Sequence, residues 1–137
     1  IDIALAVALP DGLITPVVRN CEKKGLLEID ADLKVLIEKA QAGTIGPEEY
    51  NNSTFTISNL GSFGIEEFTA IINPPDSCIL AVGGIKQTPV VKNGEIAVGN
   101  VMKVTLSCDH RVVDGATGAA FLKTLKDLLE DPVRILI

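Results

Sequence analysis

An apolar-rich segment at residues 101–108 leads into a charged heptapeptide at 109–115, and a helical pattern follows from about 116 to 130. This order predicts a strand, a loop and a helix. The heptapeptide contains His110, the only histidine among the 137 residues. Scaffolds often present catalytic side chains at such junctions, because the strand fixes the residue and the loop exposes it. Histidine is also the natural proton acceptor at neutral pH, so acid–base chemistry through an imidazole must use His110.

Position alone leaves other interpretations of this region open. A single histidine beside charged residues is often a surface or structural residue. Cys108 lies two residues before His110, so the two side chains would share a face of a strand and could form a thiol–imidazole pair. The alternative for Cys108 is a small core residue. Arg111 fits a loop ion pair, and Gly115 fits a backbone conformation that other residues resist.

Composition and charge restrict the class of protein. Hydrophobic residues make up 47% and charged residues 22%, which is typical of one globular domain. The net charge of −6 and the aromatic content of 4% disfavour nucleic acid and anionic membrane surfaces as partners. No apolar run approaches the roughly 20 residues of a membrane span, and no export signal is visible. We therefore expect a soluble intracellular protein whose three cysteines are reduced thiols.

Apolar periodicity predicts alternating strands and helices. Extended segments are expected at 3–9, 13–18, 54–60, 77–83 and 101–108, together with a hairpin that turns at Asn93-Gly94. Amphipathic helices are expected at about 27–42, ending at Gly43, and at about 116–130, with a short helical turn that begins at Gly46-Pro47. Three helices and about six strands predict an α/β fold, a two-layer sandwich in which helices cover a mixed β-sheet.

Four segments are more specific than this pattern: GLITPVVRN (12–20), FTISNLGSFGIEEFTAIINPP (55–75), SCILAVGGI (77–85) and VTLSCDHRVVDGATGAAFL (104–122). In this order they resemble the catalytic domain of the acyltransferase components of 2-oxo acid dehydrogenase complexes, a family similar to chloramphenicol acetyltransferase. The motif His-x-x-x-Asp-Gly lies in the last segment. The stretch from TISNLG to AIINPP is most similar to the acetyl-transferring members of the pyruvate dehydrogenase complex. The likeness covers essentially the whole chain.

The resemblance also bears on domain organisation. The family's catalytic domain extends well N-terminal of the position of Ile1, so we expect residues 1–137 to be the C-terminal part of a single acyltransferase catalytic domain. The family's lipoyl and peripheral-subunit-binding domains lie further upstream. No lysine in this chain has a lipoyl-attachment context, so the resemblance implies a lipoyl group supplied by a domain outside the chain.

The resemblance implies transfer of an acetyl group between dihydrolipoamide and coenzyme A, with no metal. His110 is expected to be the general base and Ser58, in TISNLG, the donor that stabilises the oxyanion. Asp114 is expected to orient the loop that aims the histidine. Coenzyme A is expected to lie along Ser58, Asn59, Ser62, Gly83 and Ile85, although each of these residues also fits ordinary loop or strand chemistry.

The implied partners are other copies of the chain. Members of the family form a homotrimer in which His110 of one chain would face Ser58 of its neighbour, and trimers assemble into a cage of 24 or 60 subunits. The apolar tail at 133–137 is expected to insert into a neighbouring trimer. A lipoyl domain would carry the substrate, and the E1 and E3 components would bind through domains outside the chain. The compartment would be a bacterial cytoplasm or the mitochondrial matrix.

Three other functions remain open on the sequence. Some relatives keep the fold without the catalysis, so the chain could be a non-catalytic core module of a 2-oxo acid dehydrogenase complex. It could also transfer a succinyl or branched-chain acyl group. A hydrolase that uses Cys108 with His110 is the third, and it is the one that the resemblance favours least.

Overall fold

The computed structural model describes residues 1–135. Two α-helices are present, α1 (Leu26–Gln41) and α2 (Gly115–Glu130). The nine strands are β1 (Ile3–Leu5), β2 (Val7–Leu9), β3 (Gly12–Ile14), β4 (Val17–Val18), β5 (Phe55–Asn59), β6 (Cys78–Val82), β7 (Lys86–Lys92), β8 (Glu95–Val101) and β9 (Val104–Cys108).

Five of the strands form one mixed sheet in the order β4-β1-β5-β6-β9. Strands β1, β5 and β6 run parallel to one another, whereas β4 and β9 are antiparallel to their neighbours. The central residues of β6, Ile79, Leu80 and Ala81, are among the most buried in the molecule. The β2–β3 and β7–β8 pairs form two separate antiparallel hairpins. The prediction of an α/β fold with a mixed sheet and helices is confirmed.

Helix α2 packs on one face of the sheet. The ring centroids of Phe55 and Phe121 lie 5.7 Å apart, so the side chain of Phe55 points from β5 toward α2. Gly118 is the buried residue of α2 and lies over Cys108 and Leu106 of β9. Since side chains alternate along a strand, Thr56 and Ser58 must point to the opposite face of the sheet.

A buried polar cluster stabilises that opposite face. The carboxylate of Asp76, only 6% exposed, accepts hydrogen bonds from the hydroxyl groups of Ser53, at 2.8 Å, and Thr56. Thr56 itself is fully buried. A buried carboxylate is tolerated when hydrogen bonds replace its lost hydration, so this cluster fixes β5 against the segment that precedes β6.

Several local predictions are confirmed. Asn93 and Gly94 have the positive φ angles, 55° and 83°, of a tight hairpin turn. Gly43, with φ of 68°, ends α1, where the amides of Gly43 and Thr44 donate to the carbonyls of Ala40 and Lys39. This is the hydrogen-bond pattern of a Schellman motif.

Several predictions of secondary structure need correction. The segment 13–18 contains two short strands in different sheets, β3 and β4, and the predicted strand 101–108 is β9 only from Val104, because Val101 ends β8. The apolar run at 3–9 is not one strand: it divides at Ala6 into β1, which joins the main sheet, and β2, which pairs with β3. The Ala6 amide donates to Ile57 at 2.9 Å before the chain leaves that sheet. The helical turn after Gly46 is a short 3₁₀ turn at Pro47–Glu49, so the described chain has two α-helices, where three helices were predicted.

The end of the chain remains partly exposed. A 3₁₀ turn at Pro132–Ile135 follows α2, and the side chains of Val133 and Ile135 are 61% and 47% exposed. Leu136 and Ile137, which belong to the predicted apolar tail, lie outside the described residues. Within residues 1–135, neither helix has the length and apolar character to span a membrane.

Candidate active site

His110 lies in a tight turn organised by the residue before it. The Asp109 amide donates to Ser77 at 2.8 Å, which ties the turn to the start of β6. The Asp109 carbonyl accepts from the amides of Val112 and Val113, both at 2.9 Å. Its carboxylate accepts from the Arg111 amide at 3.0 Å. His110 therefore projects, exposed, from a backbone that is held on both sides.

The predicted ion pair of Arg111 is present, and its partner is Asp109. The guanidinium donates to both carboxylate oxygens, at 3.0 Å from Nε and 2.6 Å from a terminal nitrogen. These bonds, together with the bond from the Arg111 amide, lower the pKa of Asp109 from 3.8 to about 2. Exposure of the pair limits its contribution to stability, so its main effect is on the shape of the turn.

Acidification is expected to loosen this turn. A carboxyl with a lowered pKa contributes its full stabilisation above its unfolded value of 3.8 and loses it as the pH falls through the folded value of about 2. The Arg111 amide resonance, followed by NMR between pH 5 and about pH 1.5, should shift with a midpoint near 2. The Asp109→Asn variant should lack this transition, and a midpoint near 3.8 would mean that the ion pair does not hold in solution.

Asp114 is the N-cap of α2. Its carboxylate accepts from the Thr117 amide at 2.7 Å, and this bond lowers the pKa of Asp114. The cap fixes the start of the helix directly after the turn that presents His110. The structure thus gives Asp114 a helix-capping contact, four residues from the histidine. The prediction that Gly115 has a backbone conformation that other residues resist is wrong. Gly115 has no positive φ, and nothing lies within 4 Å of a Cβ placed there, so the position does not require a glycine.

A pocket of about 310 Å³ lies beside the histidine, between the end of β9 and the first turns of α2. Cys108, Asp114 and Gly118 are among the residues that line it. The small side chains of Gly115, Gly118 and Ala119 leave the space open. This arrangement lets a narrow ligand bring a reacting atom to the imidazole without unfolding the turn.

Three of the other predicted residues cluster at the end of β5. Ser58 is partly buried near the end of the strand, and Asn59 is its last residue. The side-chain oxygen of Asn59 accepts from the Gly61 amide at 2.9 Å and starts the 3₁₀ turn at Gly61–Phe63, which exposes Ser62. The structure therefore brings Ser58, Asn59 and Ser62 together at one edge of the sheet.

Gly83 and Ile85 follow β6 at the same edge, because β5 and β6 are parallel. Gly83 is buried, and a Cβ placed on it would lie 2.0 Å from the Glu66 carbonyl oxygen. Its structural role is to let the 61–66 loop cross closely. Ile85 is 71% exposed and lines a larger pocket of about 590 Å³, together with Met102, Leu122 and Leu125.

The two groups of predicted residues do not meet within one chain. Ser58 pairs through Ala81 with Thr105 of β9, and His110 lies five residues beyond Thr105 at the other end of that strand. Strand geometry puts the two side chains roughly 15–20 Å apart, and they face opposite sides of the sheet. A single chain therefore presents the His110 imidazole at one end of these strands and the Ser58 hydroxyl at the other.

Sequence reasoning missed two residues that shape the site. Asp109 organises the histidine turn, and the signal was the Asp-x-Arg spacing, which allows a side chain to accept from an amide two residues ahead. Gly118 is the buried residue at which α2 contacts Cys108 and Leu106 of β9, and the signal was a glycine within an otherwise strong helical pattern.

The chain is similar over its whole length to named bacterial and mitochondrial proteins. The dihydrolipoyllysine-residue acetyltransferase component of the pyruvate dehydrogenase complex from Rickettsia conorii is 51% identical over 137 residues, which are 100% of this chain and 33% of that protein. The mitochondrial component from Dictyostelium discoideum is 49% identical over 140 residues, 22% of its length. The chain thus spans a third or less of these relatives.

Solved structures of named relatives have the same fold as this chain. Dihydrolipoamide acetyltransferase from Azotobacter vinelandii, studied for the role of a serine, a histidine and an asparagine in its catalytic mechanism, superposes with a TM-score of 0.95 at 41% identity. The match covers 100% of this chain and 56% of that one. The cubic core of the pyruvate dehydrogenase multienzyme complex gives 0.95 at 40% identity, with the same coverage. The family model for the 2-oxoacid dehydrogenases acyltransferase (catalytic domain) matches residues 1–137. The chain belongs to this acyltransferase family.

Proposed function

We propose that residues 1–137 are the C-terminal part of an acyltransferase catalytic domain that moves an acetyl group between dihydrolipoamide and coenzyme A. The observation that carries this proposal is His110, exposed on a rigid turn at the mouth of a pocket. Coenzyme A and the lipoyl group are substrates here, and the lipoyl group is carried by a domain outside this chain. The acetyl specificity is supported by the relatives' names.

The reaction needs a base and an oxyanion donor. A thiol with an ordinary pKa near 8.5 is mostly protonated at neutral pH, so the coenzyme A thiol must lose its proton to attack the acetyl thioester. His110 accepts that proton. The attack makes a tetrahedral oxyanion, to which the Ser58 hydroxyl donates. Collapse of this intermediate releases the dihydrolipoamide sulfur, which takes the proton back from His110, and leaves acetyl-coenzyme A.

One active site takes these two groups from different chains. His110 and Ser58 lie at opposite edges of one chain, so a homotrimer would bring the histidine of each subunit to the serine of the next. In the Azotobacter vinelandii enzyme, the serine, histidine and asparagine studied for catalysis are separated by 52 and 4 positions. Ser58, His110 and Asp114 have the same separations. Asp114 replaces the asparagine, and both residue types cap helices well.

Coenzyme A would extend from the serine edge. Asn59, Ser62 and Ile85 lie at the shared end of β5 and β6. Lys86 and Lys103 lie there, but Glu66 pairs with both, at 2.5 and 3.1 Å, and Glu67 pairs with Lys103 at 3.0 Å, so the cluster carries no net positive charge. Gly83 supports this end of the sheet by letting the 61–66 loop cross closely. Among residues 1–135, no cluster of three or more metal-ligating side chains is present.

The assembly proposed for the whole protein is a trimer-based cage that contacts a lipoyl domain and the E1 and E3 components through domains outside this chain. The cubic core described for a relative supports a cage. The exposed Val133 and Ile135 fit the proposed insertion of the tail into a neighbouring trimer. The proposed compartment is a bacterial cytoplasm or a mitochondrial matrix, which the bacterial source of one named relative and the mitochondrial label of another support.

The direct test is an acetyl-transfer assay on the full polypeptide that contains this chain, with coenzyme A and acetyl-dihydrolipoamide as substrates. Formation of acetyl-coenzyme A is expected, with succinyl and branched-chain thioesters as the specificity controls. Assembly without acyl transfer would instead support the non-catalytic core module. Hydrolysis of the thioester without coenzyme A, abolished by Cys108→Ser, would support the cysteine hydrolase.

Replacing Ser58 with alanine is expected to lower kcat by about 10²–10³-fold and to change the KM for coenzyme A little, because loss of one oxyanion donor affects the transition state more than the bound substrate. Steady-state kinetics separate the two parameters. Ser62→Ala is the contrasting variant: it removes a hydroxyl from the proposed coenzyme A path, so it should change the KM for coenzyme A and leave kcat near normal. A Ser58→Ala variant that loses only affinity for coenzyme A would make Ser58 a binding residue.

Mixing two inactive variants tests whether the active site lies between chains. His110→Ala and Ser58→Ala subunits, unfolded together and refolded as mixed trimers, are expected to regain about a quarter of the wild-type rate, because that fraction of interfaces joins an intact histidine to an intact serine. Each variant refolded alone is the control. No recovery in mixed trimers, verified by mass spectrometry, would place both groups of an active site in the same chain.

A further inference from the structure

Two of the three cysteines are direct neighbours across strands. Cys78 of β6 pairs with Cys108 of β9 in the antiparallel register. Paired residues point to the same face of a sheet, so both thiols lie beneath α2, where the Cys108 sulfur is 3.5 Å from the Cβ position of Gly118. The third cysteine, Cys21, follows β4 at the far edge of the sheet.

The register places this pair at a site where two sulfurs can bond. The Asp109 amide donates to Ser77, and the Gly83 amide donates to Lys103, so the pairs at these positions are hydrogen-bonded ones. Pairs alternate along an antiparallel ladder, which makes Cys78 and Cys108 a non-hydrogen-bonded pair with Cα atoms about 4.5 Å apart. This separation lies at the short end of the range for disulfides.

The two thiols differ in access to solvent. Cys108 is partly exposed and lines the His110 pocket, so a small molecule in that pocket reaches its sulfur. Cys78 is only 8% exposed. Burial, followed by a hydrogen bond with the Cys108 thiol, raises the pKa of Cys78 to about 11. The first reaction with an oxidant therefore falls to Cys108, and Cys78 is placed to react second.

We propose that Cys78 and Cys108 are a thiol modification site, where a hydroperoxide produces a reversible disulfide that joins β6 to β9 beside the His110 pocket. In the first step the Cys108 sulfur attacks a peroxide oxygen: the S–O bond forms, the O–O bond breaks, the leaving oxygen takes the Cys108 proton and departs as water from hydrogen peroxide or as an alcohol from an organic hydroperoxide, and Cys108 becomes a sulfenic acid. In the second step the Cys78 sulfur attacks the Cys108 sulfur: the S–S bond forms, the S–O bond breaks, and water carries away the Cys78 proton. Two thiols are oxidised and one hydroperoxide is reduced.

The disulfide would be readily reversed. A reducing thiol can approach the partly exposed Cys108, and access is one of the factors that set the rate of thiol–disulfide exchange. The oxidised pair would also change the wall of the pocket, because the Cys108 sulfur would turn from the pocket toward β6. This modification does not depend on acyl transfer, and it can be measured directly as a disulfide bond in a peptide map.

The test is a peptide map of the folded protein after treatment with hydrogen peroxide, with free thiols alkylated in denaturant. Cleavage after lysine and arginine puts Cys21, Cys78 and Cys108 on separate peptides, 20–23, 40–86 and 104–111. We expect a cross-link between 40–86 and 104–111, a mass loss of about 2 Da relative to the two free peptides, and full reversal by dithiothreitol. Peptide 20–23 should remain alkylated.

Matched variants and alternative products make the test decisive. Cys21→Ser, which removes a thiol of similar exposure, should leave the cross-link unchanged, whereas Cys78→Ser and Cys108→Ser should each abolish it. The peptide map of the wild-type protein tests the proposal even if a cysteine variant does not fold. Either of two results would overturn the proposal: Cys108 converted to sulfinic or sulfonic acid while Cys78 stays free, or three unmodified thiols under conditions that oxidise a model thiol completely.

Discussion

Replacement of His110 with alanine is expected to lower acetyl transfer by about 10²–10⁴-fold, the usual contribution of a general base. The chain contains no second imidazole that could take over the proton. The side chain is exposed, so its removal leaves no buried cavity and the fold should persist. Steady-state rates with coenzyme A and acetyl-dihydrolipoamide measure the effect, and circular dichroism with a thermal melt establishes that the variant is folded.

The matched control for this variant is Val112→Ala, which truncates another exposed side chain of the same turn and should keep most of the activity. Added imidazole should restore part of the rate of the His110→Ala enzyme, because it can enter the vacated pocket and accept the proton. Near-normal turnover by the folded His110→Ala variant would exclude the histidine as the base. Another group would then have to accept the proton of the coenzyme A thiol.

Replacement of Gly83 with alanine is expected to lower the free energy of unfolding by about 3 kcal/mol or more, at or beyond the upper end of ordinary overpacking. The added Cβ would lie 2.0 Å from the Glu66 carbonyl oxygen and 3.2 Å from that of Lys103. Both obstacles are backbone atoms, so no side-chain rotation relieves the clash, and β6 or the 61–66 loop must move. Denaturant unfolding followed by circular dichroism measures the loss.

Two other glycines serve as controls for the stability loss of Gly83→Ala. Gly115→Ala should change stability little, because open space surrounds its Cβ position. Gly84→Ala should fall between the two, since its Cβ would lie 3.2 Å from the Gly61 carbonyl oxygen. If Gly83→Ala were as stable as the wild type and lost only affinity for coenzyme A, the residue would belong to the ligand path predicted from the resemblance.

Features decided by neighbouring residues were predictable from the sequence. Gly43 ends α1, and Asn93-Gly94 turns the β7–β8 hairpin, because these residues adopt positive φ angles at low cost. The start of α2 follows from the helical spacing after the heptapeptide. In each case the residue that fixes the conformation lies within a few positions of the feature, so a single sequence contains the whole cause.

Features decided by distant parts of the chain were not predictable in this way. The run 3–9 is apolar throughout, and its division at Ala6 depends on β5 and β3, which lie elsewhere in the sequence. The closeness of Gly83 to Glu66 depends on how the loop crosses the end of β6. The opposite placement of Ser58 and His110 follows from strand order and from the antiparallel direction of β9, neither of which apolar periodicity encodes.

The separation of Ser58 and His110 also has a consequence for the time between synthesis and assembly. A free subunit with both groups at one pocket could hand the acetyl group of a thioester to water and waste the energy of that bond. Because His110 and Ser58 lie at opposite ends of the strands, a folded but unassembled subunit would lack a site that holds both the proposed base and the proposed oxyanion donor. Under the proposed mechanism, newly made subunits therefore accumulate without draining the cell's acetyl thioesters, and the chemistry begins only when subunits meet.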